Sequence, residues 1–256
     1  MKIAITRGIS ERFNACELTH LARQPIDIPL ARTQHRQYEA ALRSLGVRVV
    51  SLPAAADLPD SVFVEDAAVV LPECAIVMRP GADSRKPETE AVAEALRPFR
   101  SLHSVCAPGC IDGGDVLVVG KTLFVGQGTR SNAAAIEQVR AVVSEFGYRV
   151  LAVPVRQCLH LKSAATQVAE DTLLISPAWI DKAQFGNVRC IDVDPAEPGA
   201  ANAVLVGDSV IYPAHYPRTR ERLEAAGIRL CIVAATEVAK AEGAVSCCSI
   251  VFDGAD

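Results

Sequence analysis

No stretch of this 256-residue chain approaches the ~18 or more consecutive apolar residues that a membrane-spanning helix needs. Basic charge is not in excess either. The 26 Lys and Arg are outnumbered by 30 Asp and Glu, giving a net charge of −4, which argues against a protein built to neutralise a nucleic-acid backbone. A composition that is 50% hydrophobic and 22% charged argues against disorder. Residues 1–7 hold too short an apolar stretch for a secretory signal. The nine cysteines include no paired CxxC; the closest are Cys106 with Cys110 and the adjacent Cys247 and Cys248. That spacing offers no structural zinc set, and the expectation is of reduced thiols in a cytoplasmic protein with no metal.

What the chain does have is a repeat. Two β-prone runs joined by a short polar turn occur over residues 67–78, 116–125, 165–175 and 203–212, each a hairpin signal. Helical apolar spacing follows at 88–96, 133–146 and 218–226. Gly147 and Gly227 stand where a helix C-cap would, and further strands are expected at 149–153 and 229–233. The termini supply a fifth copy cut open: a strand at 2–6, a helix at 32–45, a strand at 47–52, and an unpartnered strand at 249–252. If 249–252 pairs with 2–6, a ring closes without an open hairpin edge. The expected fold is α/β, a five-bladed α/β propeller of strand–strand–helix–strand repeats, forming one domain over residues 1–256. The copy at 176–200 has only a short helical segment and is the weakest.

In a propeller the first strand of each blade lines the axis, so the residues leading into those strands should converge. They are 60–66 in blade one, 111–115 in blade two, 159–163 in blade three, 201–202 in blade four and 245–249 in blade five. Carboxylates, His160 and Cys247 thus fall at equivalent positions of different repeats. A thiolate can attack, an imidazole can move a proton, and a carboxylate can orient the imidazole or hold a cation. Several acids around one thiol suit a delocalised cation such as a guanidinium.

These residues resemble a known family, dimethylarginine dimethylaminohydrolase, of the guanidine-modifying pentein superfamily. The resemblance is carried by PDSVFVED (59–66), RPGADSR (79–85), IDGGDV (111–116), LHLKS (159–163), YPRTR (216–220) and SCCS (246–249), in order along nearly the whole chain. It implies hydrolysis of Nω-methylated arginine to citrulline and a methylamine through a covalent S-alkylthiouronium, with no cofactor. Position by position, it implies Cys247 as nucleophile, His160 as general acid and base, and Asp112 as the catalytic carboxylate, where many relatives carry Glu. Asp60, Glu65 and Asp66 would contact the substrate guanidinium. Arg85 and Arg130 would clamp its carboxylate, and Leu18 would lie in a lid segment. Cys248 is expected on the opposite face of its strand from Cys247.

The partner implied is a small molecule, not a nucleic acid or membrane, and a homodimer is compatible with it. Arginine deiminases typically carry Asp two places after the histidine; Lys162 stands there, which favours a methylated substrate. Arginine deiminase, amidinotransferase and a non-catalytic ring are the alternatives, separable by product analysis.

Overall fold

In four of the five repeats a hairpin strand carries the chain outward and a helix returns it to a third, parallel strand. The computed structural model describes residues 1–155 and 157–254, and these contain five three-stranded sheets. In every sheet the middle strand runs antiparallel to the first and parallel to the third. Blade one holds Ala68–Val70, Ala75–Val77 and Leu102–Ser104, blade two Val116–Val119, Thr122–Gln127 and Arg149–Pro154. Blade three holds Ala165–Ala169, Thr172–Ile175 and Arg189–Asp192, blade four Val204–Val206, Ser209–Pro213 and Arg229–Val233. The fifth sheet uses both ends of the chain: Ile250–Asp253 pairs antiparallel with Lys2–Arg7, which pairs in parallel with Arg48–Leu52.

Helices Ile28–Ser44, Glu88–Leu96, Ala133–Ser144 and Pro217–Ala225 cover four blades. Each buries at least one apolar residue completely, among them Leu42, Leu96, Val139 and Leu223. Three end alike. The residue after the helix-terminal glycine returns its N–H to the carbonyl five places back, as Tyr148 does to Val143 and Ile228 to Leu223. Gly147 (φ +76°) and Gly227 (φ +82°) supply the left-handed turn that a Cβ would strain. Blade three substitutes the short 3₁₀ turn Lys182–Phe185, and Phe185 packs edge-on against Phe124 at 5.0 Å. No helix is long and apolar enough to cross a membrane among the described residues.

The first strands of all five sheets line a shared cavity of about 230 Å³, so they face the ring axis. The segments leading into them differ from the extended strand starts expected from sequence. Four are single turns of helix: Val64–Ala67, Gly113–Asp115, Leu161–Ala164 and Ser246–Cys248. One turn is too short to show helical periodicity. The correction reaches Cys247 and Cys248, which stand in a 3₁₀ turn where strand alternation does not apply. Successive side chains of such a turn still diverge, by about 120°.

Candidate active site

The turns meet closely because two glycines allow it. A Cβ on Gly113 would lie 2.0 Å from the Glu65 carbonyl oxygen, and one on Gly114 would lie 2.7 Å from both Asp66 Oδ1 and His160 Nδ1. With hydrogen in those places, blade two seats against blades one and three. Gly114 donates its N–H to Asp66 Oδ1 at 2.9 Å. Asp112, fully buried, accepts from the Gly81 N–H at 2.9 Å and sits 2.8 Å from His160 Nε2. On the other side of the imidazole, Nδ1 lies 3.9 Å from Asp66 Oδ1.

This setting decides the charge on His160. Burial alone would lower its pKa; Asp66, the hydrogen bond with Asp112, and Asp115 outweigh that and push it up to about 9. The imidazole is therefore an imidazolium at neutral pH. Burial works in the opposite direction on Asp66, but His160 and Arg85 hold its carboxyl down at about 2. Asp115 is pushed up to about 6 by burial, against the pull of His160. The Cys247 thiol is raised well above the usual thiol range, by burial first and then by Glu65 and Asp66. At rest the pair is thus a neutral thiol and a protonated imidazole.

Cys247 and His160 border one small cavity with Glu17, Asp60, Phe63, Asp66, Arg85, Arg130 and Glu242. Its volume is about 20 Å³, room for about one water, but Cys247 also borders an adjoining cavity of about 330 Å³ with Trp179 and Asn202, and the two share Leu159, Glu242 and Gly243. The loop around residues 17–21 borders both, through Glu17 on one side and His20 and Leu21 on the other. The Glu17 N–H donates to both Asp60 carboxylate oxygens, and the Thr19, His20 and Leu21 N–H groups donate to Glu242. Leu18 packs into the core cluster beside this loop, and Glu17 rather than Leu18 borders the cavity. Burial raises the Asp60 pKa, against the pull of Arg85.

The two arginines differ. Arg85 gives Nη1 to Asp66 at 2.6 Å, Nε and Nη2 to Glu88 at 3.1 and 2.9 Å, and Nη2 also to the Asp60 and Phe63 carbonyls. All three of its nitrogens are engaged. Arg130 gives Nη2 to Thr19 Oγ1 at 3.2 Å, while its buried Nη1 has no hydrogen-bond partner and lies 4.0 Å from Asp112 Oδ2. Glu65 turns away from this cluster: Oε1 pairs with Lys162 Nζ at 2.7 Å and Oε2 accepts from Ser246 Oγ at 2.8 Å. Glu65 and Lys162 line the axial cavity instead. Cys248 is buried in the core cluster. Glu88, Asn202, Ser246 and Glu242 were not singled out as site residues from sequence. Asn202 had a signal, since it stands at the lead-in to blade four.

Asp66, Asp112 and His160 each offer one ligand atom within 4.8 Å of the others. Those atoms already bond to Gly114, Arg85 and each other, as a proton-holding cluster would.

A protonated imidazole between two carboxylates beside a buried thiol, on a ring of five such repeats, is the equipment of a hydrolase that attacks a cationic substrate through sulfur. Comparison narrows the class. Residues 14–189 match the family described as N,N dimethylarginine dimethylhydrolase, eukaryotic. A Streptomyces coelicolor N(G),N(G)-dimethylarginine dimethylaminohydrolase is 39% identical over 97% of this chain and 96% of its own. The Pseudomonas aeruginosa enzyme, solved as a Cys-to-Ser variant with citrulline, superposes with a TM-score of 0.93 at 33% identity, covering 98% of both chains. A dimethylarginine dimethylaminohydrolase structure with a His-to-Gly change, an adduct with S-methyl-L-thiocitrulline, gives 0.92 at 34% identity over 98% of this chain and 99% of its own. The chain belongs to the dimethylarginine dimethylaminohydrolase family.

Proposed function

We propose that this protein hydrolyses Nω-methylated L-arginine to L-citrulline and a methylamine, with Cys247 as nucleophile and His160 as acid and base. The observation that carries the reading is His160, held protonated between Asp112 and Asp66 beside the Cys247 thiol. The citrulline complex and the thiocitrulline adduct of the relatives support it.

The chemistry follows from the charges. A guanidinium arriving beside Asp66 and Asp60 brings a positive charge next to Cys247 and favours its thiolate, the thiol proton passing to solvent because His160 is already protonated. The sulfur attacks the guanidinium carbon, and the adduct expels methylamine as His160 gives it a proton. The carboxylates hold the positive charge of the resulting thiouronium. His160, now neutral, takes a proton from water. The hydroxide adds to the same carbon, the C–S bond breaks, and citrulline leaves as the thiol is restored. Arg130, with Nη1 unpaired, is the better placed clamp for the substrate carboxylate; Arg85 serves by fixing Asp66.

Residues 1–256 act in this reading as one domain, in the cytoplasm, where its nine unpaired thiols stay reduced. Incubation with asymmetric dimethylarginine, with amine products identified, tests the reaction. Citrulline and dimethylamine are expected; ammonia from arginine at an equal or higher rate would make the protein a deiminase instead.

A further inference from the structure

Beneath Cys247 the lead-in turns of four blades are tied together. Lys162 of blade three pairs with Glu65 of blade one at 2.7 Å, both largely buried. Glu65 also accepts the hydroxyl of Ser246, the residue before Cys247. Asn202 of blade four accepts the Ser246 N–H at 2.9 Å and donates its Nδ2 to Ser246 Oγ at 2.9 Å and to the Lys162 carbonyl at 3.1 Å. The Ser246 side chain and N–H are therefore fixed from two directions, and Cys247 follows in the same turn. The groups acting on the thiol are unequal. Glu65 and Asp66 oppose its ionisation, as does the neighbouring Cys248. His160, Arg85 and Arg130 stand across the cavity with Asp60, Glu17 and Glu242. Asp66 has its cation in Arg85; Glu65 has Lys162.

We infer that Lys162 is a positioning and charge-balancing residue for the nucleophile: it cancels the Glu65 carboxylate next to Cys247, and Glu65, through Ser246 and Asn202, holds the turn that aims the sulfur. This deepens the reading of Cys247 as nucleophile but does not need the substrate to be methylarginine. It also assigns Glu65 to the thiol rather than to the guanidinium, and Lys162 to Glu65 rather than to substrate choice.

The test is substrate-free. The rate of iodoacetamide alkylation at pH 8 is read on the Cys247 peptide by mass spectrometry for wild type, Lys162→Met, Glu65→Gln and the double variant. An unbalanced carboxylate beside the thiol raises its pKa by about one unit, so Lys162→Met slows alkylation about tenfold. Glu65→Gln speeds it, and the double variant returns to within about threefold of wild type. A double variant as slow as Lys162→Met overturns the inference, as does an unchanged rate in Lys162→Met. Should Lys162→Met fail to fold, Glu65→Gln decides alone: a rate at or below wild type refutes the charge role. Because no substrate enters, a failure here is distinguishable from a failure of methylarginine hydrolysis.

Discussion

At Cys247 and Cys248, adjacent residues of one chemical type have different surroundings. Cys247 borders the cavity with His160, whereas Cys248 is buried in the core with its thiol toward the Ala244 carbonyl. Cys247→Ser should abolish turnover with circular dichroism unchanged, and Cys248→Ser should keep most activity while losing about 1 kcal/mol of stability. Loss of turnover from Cys248→Ser alone would reverse the assignment. His160 makes a pH prediction. Its pKa is about 9 in the folded protein, against about 6.5 unfolded. The stabilisation is fully present below about pH 6.5 and is lost as pH rises through about 9. Urea unfolding of wild type and His160→Gln should thus differ by a few kcal/mol at pH 6 and converge by pH 10; a gap that widens with pH would mean a neutral imidazole. The arginines separate by free and engaged donors. Arg130→Ala should raise KM for methylarginine at least about tenfold with little change in Tm, the worth of one charge-assisted contact. Arg85→Ala leaves Glu88 without its cation and Asp66 with His160 and the Gly114 N–H alone, and should cost about 3–5 kcal/mol of stability. A KM effect with unchanged Tm in Arg85→Ala would return that residue to direct carboxylate binding. The residue types of the site were readable in the sequence because they recur at one level of a repeat. The difference between Arg85 and Arg130 was not, because it depends on Glu88 and on carbonyls that only the folded chain brings near.

The elements were legible where they are long. Hairpins with short polar turns, helices closed by Gly147 and Gly227, and a strand at each terminus all carry a period or a cap that a sequence exposes. The single turns leading into the first strands were missed, since three or four residues hold no period, and in blade three Phe185 supplies an anchor where no long helix forms. Those turns are nonetheless what bring Asp66, Asp112, His160 and Cys247 together, and Gly113 is where this can be tested. A Cβ there would meet backbone at 2.0 Å, so Gly113→Ala should displace Asp112 and His160 and lower kcat at least about 100-fold, on the scale of a site misplaced by about 1 Å. Gly147→Ala meets nothing within 4 Å but keeps φ at +76°. It should cost about 1 kcal/mol of stability and leave kcat alone. Equal kinetic effects from both would mean that blade packing, not the close approach at Gly113, governs the site.

For the whole molecule, a ring lets five weak local signals add up. Four repeats contribute one short turn each and the other contributes Asn202, and the axis gathers them into a site that no single segment of chain could form. Charge is sorted across that site. The cavity beside Cys247 carries carboxylates matched to a cation, and the axial cavity is lined by the paired Glu65 and Lys162. Neither the shape of the cavities at Cys247 nor the pairing across blades could be read from composition or spacing, because both are properties of the closed ring. The account stands on one covalent step, and acid-quenched turnover examined by peptide mass spectrometry observes it directly. With asymmetric dimethylarginine as substrate, the Cys247 peptide should gain the substrate's mass less dimethylamine, and the gain should vanish in Cys247→Ser. Citrulline accumulating with no adduct on Cys247, or with the adduct on Cys248, would contradict it.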